Sequence, residues 1–452
     1  MIDKLFFLVL VLNATSLFAF LAPQFGVTIG TISLALLALN IYYLIVKARY
    51  SVPLFLRGGM GSWLFVIVLW PLCTVVYAPS FNMREIGLTL YYFSLFFGTV
   101  VYTVANGLPA IHRVMSISLV ISVVGMALSM LMPGYFESVA VLATGRTVFE
   151  GRPFGFFMQP NILAQGLGLL FIGWFSLLQR KNGLSEVVAI LAFLLVMLLT
   201  GSRLGILIAV ITVTVSLAYS WRKRLRSKRY LLKICLLTIC LAGGVIGTRH
   251  YLSIVGNSVN RREYDLIDRM ETMLSFKLSK DGSLKDDASI KKRFATQAVY
   301  MSLINEKTLL GHGFGSDTYY LDEGVLFNSA HSDAITCAME YGVLYVFVFA
   351  LLMLQLYWKR SRRGVERVFQ TNSIFQFVAV VLFLFAVGSF LNLRTLYVVL
   401  GMFFVAVYCP HLLFKYDSKG GAPQSCMSKK DIRNARLIRR KSLLPQDGEE
   451  SV

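Results

Sequence analysis

Apolar residues in this chain come in continuous blocks, not in alternation with polar ones. The blocks fall at roughly 5–22, 26–46, 62–79, 86–105, 114–132, 161–178, 186–201, 204–221, 231–248, 331–358, 373–390 and 394–414. Most approach the ~20 residues that cross a bilayer core as a helix. A membrane β-barrel would alternate apolar and polar positions instead. The pattern predicts an all-α, polytopic transmembrane helical bundle of about 12 spans. The block at 186–201 is short and the one at 331–358 is long, so tilt or irregular ends are expected there. The polar stretches divide the chain into transmembrane helices one to nine (1–248), a large loop (249–330), helices ten to twelve (331–414) and a basic tail (415–452).

The connections supply sidedness. Lys47, Arg49 and Arg57 follow helix two, His112 and Arg113 helix four, and Arg180 and Lys181 helix six. RKRLRSKR at 222–229 follows helix eight, KRSRR at 359–363 helix ten, and the tail helix twelve. Every basic cluster follows an even-numbered helix, so one orientation puts all of them and both termini in the cytoplasm. MIDKLFFLVLVLNATSLFAFLA at the start has a weak positive region and no small-residue cleavage site after it, and reads as an uncleaved first helix.

Composition agrees. The chain has 452 residues, 56% hydrophobic and 15% charged, too little charge for a soluble surface of that size. A net charge of +20 raises nucleic acid as a partner, but the cytoplasmic bias of Lys and Arg accounts for it. Five of the six cysteines, Cys73, Cys235, Cys240, Cys337 and Cys409, lie in apolar segments and Cys426 in the tail, so no disulfide framework is visible.

Two outward connections are long, 133–160 and 249–330. Loops beyond ~15 residues are usually functional or disordered. Within the second, SIKKRFATQAVYMSLINEK at 289–307 repeats Phe294, Ala298, Met301 and Ile304/Asn305 at helical spacing, which predicts short helices over the outer face. SKDGSLKDDA at 279–288 reads as a solvated turn, and the tail as a disordered segment that skims anionic membrane lipid.

Candidate chemistry gathers on the outward side. Arg203, Arg394, Arg146, Arg152 and Arg293 all sit there, against the positive-inside bias. Any one alone reads as a snorkelling surface residue. Together they point to an anion site, because guanidinium forks match phosphate oxygens. His331, in NSAHSD, is the natural titratable partner and can take a proton from a hydroxyl. The competing reading makes it a first-turn residue beside a capping Asn328 or Ser329. Asp333 and Glu340 are alternative titratable groups; a regular helix would put Glu340 opposite His331. GHGFGS at 311–316 is a tight loop or a site of close backbone approach to a ligand, with His312 a weaker base candidate. His250, His112 and His411 lie away from this group. No Asp-x-Asp pair and no His/Cys cluster of metal-ligand spacing occurs, so neither metal nor cofactor is expected and arginine must neutralise a diphosphate.

Three segments in order resemble the O-antigen ligase and O-antigen polymerase family of bacterial membrane glycosyltransferases. They are GRPFGFFMQPNILAQGLGLL at 151–170, LLTGSRLGILIAV at 198–210, and the run from Lys292-Arg293 through LLGHGFGS to NSAHSDAITCAMEYGVL, ending near Leu344. The resemblance implies a bacterial inner-membrane enzyme with a periplasmic site. Its donor would be an undecaprenyl-diphosphate-linked glycan, and its acceptor lipid A-core or a lipid-linked repeat unit. His331 matches the family's essential histidine and would assist the acceptor hydroxyl. Arg203 and Arg293, with Arg152, would hold the diphosphate, and the family is thought to work without metal. Arg146, Arg394, Asn161, Gly313 and Asp333 are candidate supporting residues. The family often has Asn after the histidine where this chain has Ser332, a departure that bears on acceptor positioning.

Ligase and polymerase share donor chemistry, so these motifs do not separate them; a protein-glycosylating relative is a third option. The alternative of another class is a lipid-linked sugar flippase or other polysaccharide transporter, and a non-catalytic envelope scaffold is the plainest reading. Transporters usually show related halves and broken helices near the midplane, and neither is visible.

Overall fold

A computed structural model describes residues 1–56, 59–80, 83–144, 153–177, 183–200, 202–224, 288–326, 329–330, 332–362, 371–387, 391 and 393–409. Among them every regular element is helical. Helix α1 (Ile2–Thr15) and α2 (Leu17–Leu21) are followed by α3 (Ile29–Val46) and α4 (Ala48–Leu56). Next come α5 (Met60–Tyr77), α6 (Met83–Asn106), α7 (Leu108–Leu131) and α8 (Pro133–Thr144). Then follow α9 (Pro160–Leu177), α10 (Gly183–Leu199) and α11 (Arg203–Arg224). The loop region holds α12 (Ala288–Glu306) and α13 (Ser316–Asp322), and the chain closes with α14 (Asp333–Tyr341), α15 (Val343–Arg362), α16 (Thr371–Val387) and α17 (Arg394–Tyr408).

Local sequence sets these boundaries. Pro109, Pro133 and Pro160 fall in the first turns of α7, α8 and α9, where the missing N–H costs nothing. Thr28 caps α3 by accepting from the Thr31 amide at 3.2 Å. In α5, Pro71 cannot donate to the carbonyl four residues back, and the helix passes through a π turn at Phe65–Leu69 just before it.

Among the described residues, five helices are long and apolar enough to cross a membrane: α3, α5, α7, α9 and the Glu85–Asn106 part of α6. The run Ile2–Thr15 plus Leu17–Phe25, bent by 77°, is a broken span or a re-entrant loop. Val188–Leu199, Leu204–Val215, Val343–Trp358, Ile374–Ala386 and Arg394–Tyr408 are shorter apolar helices. These elements lie where the hydrophobic blocks predict them. The block at 231–248, the turn at 279–288 and the tail lie outside the described residues.

Helix α17 is central: every residue from Thr395 to Tyr408 is buried. It packs along α6, where Tyr92 and Tyr397 stack at 4.8 Å. At the periphery, α3 leaves Leu34, Ile41 and Ile45 exposed to 65%, 47% and 66%. Such apolar faces suit contact with acyl chains, and the chain is a multi-pass membrane protein.

Two expectations are corrected. The long block 331–358 is two helices, broken at Gly342. Gly342 has φ 86°, and a Cβ there would overlap the Leu309 carbonyl oxygen. Backbone crossing under the helix therefore ends α14, although hydropathy continues through the break. In α12 the residues at helical spacing divide: Ile304 is buried, but Ala298 and Met301 are not. Tyr300, Leu303 and Ile304 are buried with Ala338 and Met339 of α14, while Met301 is 49% exposed and Ala298 faces out. The determining contact is long-range: the Tyr300 hydroxyl donates to Asp317 of α13.

Gly342→Ala is expected to lower the thermal midpoint of the detergent-purified chain, with backbone strain alone of order 1–3 kcal/mol. Gly61→Ala, where a Cβ meets nothing within 4 Å, is the matched control and should be neutral or slightly stabilising.

Candidate functional site

The first motif pair is joined at two helix N-termini. Arg203 is the first residue of α11, and Ser202 before it caps the helix by accepting from the Gly205 amide at 3.3 Å. The Ser202 hydroxyl donates to the Asn161 side chain at 2.9 Å, tying α11 to the start of α9. One turn on, Gly205 lies so close to α9 that a Cβ would sit 3.0 Å from that of Ala164. Asn161 and Ala164 of one motif thus hold Ser202 and Gly205 of the other. The backbone of Arg203 is fixed by this junction; its side chain lies outside the described atoms.

The third motif is held by backbone pairing. The His312 amide donates to Met339 O at 2.7 Å, Gly313 to Glu340 O at 2.8 Å, and Val343 to Thr308 O at 2.9 Å. Gly313 has φ 98°, and a Cβ there would lie 2.6 Å from Ala78 Cα. The close approach of GHGFGS is therefore to the protein's own backbone at α5 and α14. His312 is buried with both ring nitrogens engaged: Nε2 at 2.7 Å from Leu303 O and Nδ1 at 2.9 Å from the Tyr320 hydroxyl. It is a structural residue of the loop, not a free base.

Helix α14 begins at Asp333, and its cap is Ser332, not Asn328 or Ser329. Ser332 Oγ accepts from the Ile335 amide at 3.4 Å and donates to Ala386 O of α16 at 2.8 Å. Serine is a strong N-cap, as asparagine is, so Ser332 by itself fills the capping role at this helix start. Asp333 accepts from the Leu391 amide at 2.8 Å and so fixes the turn that leads into α17. His331 precedes the helix, so the helical-wheel argument that opposed it to Glu340 does not apply.

Of the sequence-predicted site residues, His331, Arg146 and Arg152 lie outside the described residues, and Arg293 is described only as a backbone position in α12. Arg394 starts α17 and turns into the bundle. Its guanidinium lies 4.5 Å over Phe18 and 5.7 Å over Tyr91, with Ser33 Oγ at 3.5 Å, and its buried Nε has no hydrogen-bond partner.

A cavity of about 220 Å³ lies between α5, α6, α14, α15 and α17. Asp333, Thr336, Cys337 and Glu340 line it, the i, i+3, i+4 and i+7 positions of one helix face. Asp317 and Phe314 of the loop, Glu85 of α6 and Trp63 of α5 also contribute. The sequence reading named Asp333 and Glu340 but not the cavity they share. The spacing in DAITCAMEYG was the available signal.

Helix α14 is too short to span and packs with the loop helices, which places Glu340 at the loop junction. Its Oε1 accepts from the Asp317 amide at 3.2 Å. Burial first, and then the nearby Asp317 and Glu85 carboxylates, push the Glu340 carboxyl up to about 8. Burial also raises Asp317, opposed by its hydrogen bond from Tyr300. Asp333 on the same helix face and Tyr341 beside it complete the titratable surroundings.

A carboxyl whose pKa is higher folded than unfolded binds its proton more tightly in the native state. Its contribution to stability is complete below the ordinary value near 4.5 and is lost as pH rises through about 8. The wild type should therefore lose thermal stability across that range, and Glu340→Gln, which keeps the acceptor for the Asp317 amide, should flatten the profile. Ser332→Asn should preserve the wild-type thermal midpoint, whereas Ser332→Ala should cost about 1 kcal/mol; equal losses for both would remove the capping explanation.

No curated protein and no solved structure matches the chain significantly. Residues 187–350 match the family model described as O-antigen ligase. The matched segment runs from α10 into α15 and includes Arg203, Arg293, GHGFGS, His331, Asp333 and Glu340; Asn161, Arg152, Arg146 and Arg394 fall outside it. Over residues 187–350, about a third of its length, this chain is similar to the O-antigen ligase family.

Proposed function

We propose that the chain is a membrane glycosyltransferase that moves a glycan from undecaprenyl diphosphate to an acceptor hydroxyl at the periplasmic face of the bacterial inner membrane. Similarity to this family over residues 187–350 supports the reaction class. The observation that carries the residue assignment is that both motif residues adjoin capped helix starts. Arg203 opens α11 behind Ser202, and His331 stands just before the Ser332 cap of α14. Helix N-termini favour negative charge, and a guanidinium at such an end suits a diphosphate.

In this reading His331 takes the proton of the acceptor hydroxyl as its oxygen attacks the anomeric carbon. The bond from that carbon to the diphosphate oxygen breaks, and undecaprenyl diphosphate leaves. Arg203, Arg293 and Arg152 meet the charge that develops on it, with no metal called on. Arg146 and Arg394 add positive potential on the same side. Asn161, Gly313 and Asp333 hold the backbone that presents these groups. The acceptor is lipid A-core in a ligase or a lipid-linked repeat unit in a polymerase.

His331→Ala is expected to lower transfer by roughly 10²–10⁴-fold, with an unchanged amount of protein in the membrane. The readout is surface polysaccharide together with extracted lipid-linked glycans, at native expression. Long polymers stranded on the lipid carrier identify a ligase, and accumulated single repeats a polymerase. Normal surface polysaccharide from the variant would remove His331 from the mechanism.

A further inference from the structure

The break between α1 and α2 lies among apolar helices, away from water. Ser16 is left-handed at φ 55°, and the run turns there by 77°. A helix that ends in such a place leaves carbonyls that need partners from elsewhere. The start of α17 supplies one: Thr395 Oγ1 donates to Ala14 O at 2.8 Å, and both residues are fully buried. Tyr91 of α6 supplies a second hold, its hydroxyl donating to the Asn13 side chain.

Arg394, next to Thr395, holds the chain beyond the break. Its guanidinium rests on the ring faces of Phe18 in α2 and Tyr91 in α6, at 4.5 and 5.7 Å. Neighbouring residues of α17 thus grip the first helix on both sides of Ser16. The Arg394 Nε is buried, and among the described residues no ion pair involves this side chain. A cation withdrawn from water without a carboxylate is costly, and aromatic faces offset part of that cost.

Helix α2 has a second arm. Phe18 and Phe20 are two positions apart, about 200° around a helix, so they leave opposite faces. Phe20 meets Phe136 of α8 at 4.7 Å and Phe156 at 5.2 Å. Phe156 is seated on α7, where a Cβ at Gly125 would lie 2.5 Å from its ring, and the adjacent Gly155 amide donates to Ser129 Oγ at 3.1 Å. This segment leads into α9, whose Asn161 accepts from the Ser202 cap in front of Arg203. A line of contacts therefore runs from Arg394 through α2 and the start of α9 to the backbone of Arg203.

We propose that Arg394 is a positioning residue: its cation, clamped on Phe18, sets the angle of α2 and, through Phe20, the seat of the segment that places Arg203. The guanidinium is taken up by these rings and does not touch the donor diphosphate; the potential it adds there acts at a distance. The kinetic part of this inference rests on the glycosyl transfer proposed above.

The test uses the full-length chain in lipid nanodiscs, with mono-, di- and trifluorophenylalanine placed at Phe18 to drain charge from the ring face at nearly constant size. The thermal midpoint should fall stepwise with fluorine number when Arg394 is present and stay level in Arg394→Met. With undecaprenyl-diphosphate glycan as donor, the donor KM should rise in the same steps, on the order of tenfold at the trifluoro residue, with kcat unchanged. Pyrophosphate affinity by calorimetry, which needs no turnover, should weaken in parallel. The fluorine series decides the matter by itself where Arg394→Met does not fold. A level midpoint across the series with Arg394 present would overturn the clamp. A falling midpoint with level donor KM and level pyrophosphate affinity would overturn the positioning role. Pyrophosphate binding that survives fluorination but is lost in Arg394→Met would overturn it as well, because it marks a direct phosphate ligand. A chain that transfers nothing, yet loses midpoint and pyrophosphate affinity together along the series, would overturn the transfer and keep the positioning role.

Discussion

Backbone pairing between the glycine loop and the end of α14 is the constraint on which the rest depends. Amides of His312 and Gly313 reach the carbonyls of Met339 and Glu340, and Val343 reaches Thr308. Side chains at Gly311 or Gly342 would occupy the space these strands of backbone need. The pairing ends α14, sets the direction in which α15 enters the bundle, and seats α13 so that its amide meets Glu340. A buried carboxyl, a nine-residue helix and a cavity all follow from one crossing of two chain segments.

What was legible in the sequence follows from range. Apolar runs of spanning length are local signals, and the helices lie where they predict. Pro133 and Pro160 mark helix starts without reference to anything distant. The break at Gly342 was hidden because Val343 onward keeps the apolar run going; only Leu309, far back in the chain, shows why a glycine is needed. The face of α12 was misread for the same reason. Spacing offered Phe294, Ala298, Met301 and Ile304/Asn305, of which Ile304 is buried, but Asp317 decides that Tyr300 points inward.

The candidate site was legible as motifs and opaque as geometry. Asn161 and Ser202-Arg203 were recognisable segments, yet nothing local says that Asn161 accepts from Ser202 or that Gly205 is small because Ala164 passes beside it. GHGFGS read either as a tight loop or as a close approach to a ligand, and its backbone is closed against α5 and α14.

Charge is distributed by the same logic. A transfer from a lipid diphosphate must bind an anion firmly while keeping a neutral hydroxyl close enough to be deprotonated. In the cavity under α14 the described lining is acidic and aromatic. Asp333 shows how that lining is kept rigid: it faces the cavity and also holds the Leu391 amide in the turn before Arg394. A carboxylate in that position is bound to the scaffold, so its place in the lining is set by the turn that it holds.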